Sequence, residues 1–77
     1  MEELLEYLAR QLVDSPDEVR VERSERESGE LVLELHVAEA DRGKVIGKGG
    51  RIARSLRTVV KASAVRTGRR VHVEIAA

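Results

Sequence analysis

Three glycines and a group of cations share one short stretch, residues 43–54, which reads G-K-V-I-G-K-G-G-R-I-A-R. Gly47, Gly49 and Gly50 enclose Lys48 and precede Arg51, and Val45, Ile46 and Ile52 flank them with aliphatic side chains. A flexible tether has no use for the isoleucines. A helix interior disfavours the glycines, each by about 1 kcal/mol against alanine. The pattern therefore predicts a tight turn between two packed helices, with main chain open to close approach. A helix starting at such a turn presents unpaired N–H groups and the positive end of its dipole. With Lys44, Lys48, Arg51 and Arg54 alongside, the ligand chemistry this favours is phosphate.

Two nucleotide-binding loops can be set aside. A Walker A loop needs G-x-x-x-x-G-K-[ST], whereas the run from Gly43 is one residue short and lacks the magnesium-binding hydroxyl. A dinucleotide fingerprint needs G-x-G-x-x-G after a strand. Here Ile52 stands where the third glycine belongs, and the turn joins two helices. What remains is a G-x-x-G turn of the kind that clamps a nucleic-acid backbone. A bare helix–helix turn with surface lysines is the plainer alternative, and the elements around the turn argue against it.

Those elements are six. Residues 2–13 form an amphipathic helix, with Leu4, Leu5, Leu8, Ala9 and Leu12 in one arc, ended by Ser15-Pro16-Asp17. Residues 19–23 alternate as a strand reaching toward Glu25, and Glu27-Ser28-Gly29-Glu30 is a hairpin turn. Residues 31–37 are the clearest strand, with Leu31, Leu33, Leu35 and Val37 on one face. Asp41 is placed to N-cap a short helix that ends at the glycines. A long helix runs from about residue 50 to 66 and stops at Gly68. Its packing side carries Ile52, Leu56, Val59, Val60 and Ser63, with Arg54, Arg57 and Lys61 opposite and Ala53 bordering the cationic side. Residues 71–75 close the chain as a strand.

The order α-β-β-α-α-β predicts an α+β fold in a single domain, residues 1–77. The first two strands form an antiparallel hairpin. The third returns through two helices and lies parallel to the second, giving a three-stranded mixed sheet with strand 31–37 central and three helices on one face. Leu33, Leu35, Ile46, Leu56, Val60 and Val73 should be buried.

The stretch from Asp41 to Ala62 resembles the signature of a KH domain, and the α-β segment ahead of a β-α-α-β core is similar to the type II form. The shortness of the chain resembles the stand-alone bacterial KH proteins of the KhpA family. That resemblance implies single-stranded RNA as ligand, with Gly47, Lys48, Gly49 and Gly50 as the turn, Val45 and Ile46 before it, and Ile52 and Leu56 at apolar positions of the long helix. Ala53 departs from the isoleucine that many KH domains carry there. The RNA-binding set is thus expected to be Lys44, Val45, Ile46, Gly47, Lys48, Gly49, Gly50, Arg51, Ile52, Ala53 and Arg54. The resemblance further implies an RNA chaperone or post-transcriptional regulator, pairing as a homodimer or with a larger KH-containing partner, and an influence on cell elongation. A module that works mainly through such a partner is the second reading.

Charge and composition agree with a polyanion ligand. The net charge of zero conceals a division: residues 1–39 hold twelve acids and four arginines, a balance of −8, and residues 40–77 hold two acids and ten lysines or arginines, a balance of +8. Such segregation suits a polyanion on one side. Sequence halves need not be spatial halves, so dispersed charge for solubility is the alternative. With 36% charged and 42% hydrophobic residues the chain is expected to be globular. The absence of cysteine excludes disulfides and thiolate metal sites. No apolar run approaches the roughly 18 residues of a membrane span, and the cytoplasm is the expected compartment. Tyr7, the one aromatic residue, argues against RNA folds built on stacking platforms. Ser55, Ser63 and Thr67 have no evident base, so no enzyme activity and no cofactor are expected. His36 and His72 fall on the outward face of neighbouring strands, without the cysteine or acidic constellation of a metal site.

Overall fold

Leucines alternate with polar residues along residues 31–36, and this strand forms the centre of the sheet. In the computed structural model, which describes residues 1–76, β1 (Arg20–Glu25) pairs antiparallel with β2 (Leu31–His36), and β2 pairs parallel with β3 (Val71–Ile75). The registers place Val21 opposite Leu35, and Leu31 and Leu33 opposite Val71 and Val73. Period-two alternation therefore puts Leu31, Leu33, Leu35, Val71 and Val73 on one face, and all five are buried. Against them pack Leu5 and Ala9 of α1 (Glu2–Leu12), Val45 of α2 (Arg42–Ile46), and Leu56, Val60 and Ala64 of α3 (Arg51–Val65). This is the α+β, three-stranded mixed sheet with three helices that the element order predicts.

Several boundaries and orientations differ from the sequence expectation. The first strand begins at Arg20. Val19 instead closes a short 3-10 turn at Pro16–Glu18, yet still buries its side chain. Ile46, expected in the core, is 37% exposed. Its helix has only five residues, and Val45 takes the inward position, so the next residue, about 100° further round, points away. The long helix is also turned relative to its apolar pattern. Leu56, Val60 and Ala64 pack into the core and Ala53 is buried, while Val59 is 45% exposed and Ile52 only partly buried. Ile52 and Val59 instead line a cleft toward α1, with Leu8 and Leu12.

Asp41 precedes α2 as expected but makes no side-chain cap there. Its carboxylate accepts the backbone N–H groups of Asp14 at 3.2 Å and Ser15 at 3.0 Å, tying down the chain just beyond α1. Among the described residues it is the one buried charged side chain. Among the described residues, no helix is long and apolar enough to cross a membrane.

Candidate nucleic-acid interface

The glycines of the turn are of two kinds. Gly47 receives the end of α2, its N–H donating to the Gly43 carbonyl at 2.9 Å, and adopts φ 73°, ψ 173°. Only glycine occupies that region readily. A Cβ at Gly47 would lie 2.6 Å from Cγ1 of Ile52, so the turn packs directly onto the first turn of α3. Gly49 and Gly50 are left-handed as well (φ 65° and 77°), but a Cβ at either would meet open space. The first is a packing glycine. The other two leave the main chain uncovered where α3 begins, and that helix has no side-chain cap on its N-terminal N–H groups.

The cations sort by partner. All four arginines of residues 1–39, namely Arg10, Arg20, Arg23 and Arg26, lie within salt-bridge distance of a carboxylate. Among the described residues of the basic half, only Lys44 and Arg69 of the lysines and arginines do so, Lys44 with Asp14 and, at 4.0 Å, Asp41, and Arg69 with Glu25 at 2.7 Å. The hydrogen bond to Asp14 raises the Lys44 pKa above the ordinary lysine value; partial desolvation opposes it, and the charges of Asp14 and Asp41 add to it. Among the described residues, Lys48, Arg51 and Arg54 have no carboxylate partner, and all three are exposed. Arg54 also donates from Nη2 to the Gly49 carbonyl at 3.2 Å, bracing the turn from α3.

Of the residues expected at the site, Gly47 to Arg51 and Arg54 converge at the start of α3. Ile46 presents exposed aliphatic surface beside them. Val45 and Ala53 are buried, at 0% and 4% exposure, and can only shape the site from beneath; Ala53 does not border the cationic side. Ile52 sits under Gly47 and along a cleft toward α1, lined also by Leu8, Leu12, Leu56 and Val59. Lys44 is committed to its acidic partners. Arg57 belongs to the cationic stripe of the sequence, but its Nε donates to the Val73 carbonyl at 3.1 Å, joining α3 to the edge strand β3.

The histidines have carboxylate partners that the sequence did not reveal. Strand register sets Glu22 opposite Glu34, two residues from His36 on the same face, and ligand-type atoms of the three lie within 4.8 Å of one another. His36 Nε2 is 2.8 Å from Glu34, Glu22 is paired with Arg20 at 3.1 Å, and His72 lies 3.1 Å from Glu74.

Set against known proteins, residues 2–75 match the family model described as KhpA/KhpB, KH domain. The chain belongs to that family. It is 56% identical over 75 residues to the RNA-binding protein KhpA of Clostridium acetobutylicum, covering 97% of this chain and 99% of that one. It is 55% identical over 74 residues to KhpA of Treponema pallidum (96% and 91%) and 43% identical over 75 residues to KhpA of Bacillus subtilis (97% and 91%). Among solved structures, Era of Aquifex aeolicus bound to GDP and AlF4− superposes with a TM-score of 0.65 at 22% identity. That match covers 96% of this chain but 28% of Era, and it shows likeness of fold. The matched residues 2–75 include the glycine turn, and these relatives are named RNA-binding proteins.

Proposed function

We propose that this KhpA/KhpB-family protein binds single-stranded RNA, with the Gly47-Lys48-Gly49-Gly50 turn as a backbone clamp. One observation carries the reading: the open main chain of Gly49 and Gly50 leads into the uncapped N-terminus of α3, ringed by Lys48, Arg51 and Arg54, none of which has a carboxylate partner among the described residues. A phosphate seated there meets backbone donors, the helix dipole and three cations together. Ile46 offers an aliphatic surface for a neighbouring base. Relatives named as RNA-binding proteins support the ligand class. A clamp of about four nucleotides carries little sequence information, which suits a chaperone or post-transcriptional regulator acting on many RNAs in the cytoplasm.

The test is Lys48→Asp with Gly49→Asp. A Cβ at Gly49 meets nothing within 4 Å, and aspartate tolerates the left-handed region, so the fold should survive. Two carboxylates would then stand where the phosphate belongs. Affinity for single-stranded RNA should fall by more than about tenfold while circular dichroism stays unchanged; wild-type affinity would remove the turn from the site.

A second reading, action mainly through a larger KH-containing partner, draws on the apolar cleft between α1 and α3. Val59 at 45% exposure lines it, and Tyr7 of α1 is 61% exposed. RNA binding that appears only with such a partner present would favour this reading over the isolated clamp.

A further inference from the structure

Helix α3 and strand β3 run in opposite directions as neighbours, so the seam between them starts at the glycine turn and ends where β3 begins. Arg57 bridges its middle through the Val73 carbonyl. Arg54, Arg57 and Lys61, spaced by three and four residues, follow one flank of the helix along it. Past Arg57 the seam opens into a depression of about 260 Å³ lined by Glu30, Lys61, Val65, Arg69, Arg70 and Val71. Its apolar part includes Val65, which is 76% exposed. Two of the charged residues are engaged: Glu30 is paired with Arg26 at 2.6 Å and Arg69 with Glu25 at 2.7 Å. Lys61 and Arg70 are exposed and have no carboxylate partner among the described residues.

We propose that Lys61 and Arg70, with Val65 and Val71, form a second seat for the same RNA strand, holding a nucleotide beyond those clamped at the turn. The inference rests on the RNA-binding reading of that turn. The chemistry repeats that of the first seat, with aliphatic surface for a base or ribose beside cations for phosphate. Arg51 and Lys61 are ten residues apart on α3, about 15 Å along the helix axis. A strand leaving the turn along Arg54 and Arg57 passes no acidic side chain of α3, which holds none. An acidic protein segment would also suit the two cations, but the charged path leading from the turn favours a continuous polyanion.

The test compares two oligouridylates, of about four and about ten nucleotides, on wild type and on Lys61→Gln with Arg70→Gln. Each lost phosphate contact should lower the salt slope by about 0.7, which at about 0.1 M salt is about fivefold in affinity. The double variant should therefore bind the longer oligomer about 25-fold more weakly, with a slope shallower by about 1.4, and bind the shorter one as wild type does. Both side chains are exposed, so the fold should hold. If circular dichroism shows otherwise, the single variants should each give about half the change in slope. Equal loss at both lengths would overturn the proposal, since the two residues would then act as a diffuse field. So would wild-type binding of the longer oligomer, the result expected if the depression seats a protein segment. Failure of the underlying reading is separable: the Lys48→Asp, Gly49→Asp variant would then hold the short oligomer as tightly as wild type does.

Discussion

Lys44 and Lys48 lie four residues apart beside the same turn, and they should respond differently to removal. Lys44 is hydrogen-bonded to Asp14, with Asp41 at 4.0 Å, so its charge is already answered inside the molecule. The bond raises its pKa, so the ammonium stays charged through neutral pH and loses its proton as pH rises past the elevated value. Lys48, Arg51 and Arg54 have no such partner among the described residues. If these three each neutralise one phosphate of a short RNA, the log–log salt slope of wild type should be about −2. Affinity should then fall about 18-fold between about 50 and 200 mM salt. Lys48→Ala or Arg51→Ala should reduce that to about sevenfold by removing one contact, whereas Lys44→Ala should leave the slope at the wild-type value. Fluorescence anisotropy of a labelled oligouridylate across a salt series measures all four proteins directly. A slope that shallows equally for Lys44→Ala and Lys48→Ala would refute the division of the cations by partner. A flat wild-type slope would refute phosphate contact at the turn altogether.

Further expectations concern the scaffold. Leu33→Ala, at a fully buried position of the central strand, should cost about 2–5 kcal/mol in chemical denaturation, whereas Val59→Ala, 45% exposed, should leave stability within about 0.5 kcal/mol of wild type. Asp41→Ala strands the N–H groups of Asp14 and Ser15 and should cost about 1–3 kcal/mol. Asp41→Asn, which keeps one acceptor oxygen, should cost less. Gly47→Ala, whose Cβ would lie 2.6 Å from Ile52, should lower the melting temperature more than Gly49→Ala, which meets open space and carries only a left-handed strain of about 1–2 kcal/mol. Equal effects of the two alanines would mean that Gly47 does not lock the turn to α3.

The architecture was legible wherever a period had room to repeat. Residues 31–37 alternate long enough to name the central strand and its inward face, and Leu33 and Leu35 are buried as expected. Eleven residues of α1 likewise identify Leu5 and Ala9 as inward. The five residues of α2 complete little more than one turn, which is too short for the pattern to choose between Val45 and Ile46; Val45 is the buried one. Along α3 the apolar side chains spread over more than one face, because the helix meets both the sheet and α1. The largest of them suggest one orientation; the burial of the small Ala53 and Ala64 marks another.

At the site, residue type and spacing disclosed the turn, since glycines at 47, 49 and 50 next to cations signal phosphate through local geometry alone. Partnership is a different matter. Lys44 pairs with Asp14 across thirty residues and Arg69 with Glu25 across forty-four, and no local pattern reports such contacts. The balance of +8 read from the sequence of residues 40–77 could have been cancelled by the acidic half on folding. Instead the acidic half spends carboxylates on its own four arginines, and the cations along α3 carry no acid between them. Their field therefore stays directed outward along the helix flank beside β3, where a polyanion can reach it. That surface is set by which charges find partners, and topology decides the pairing.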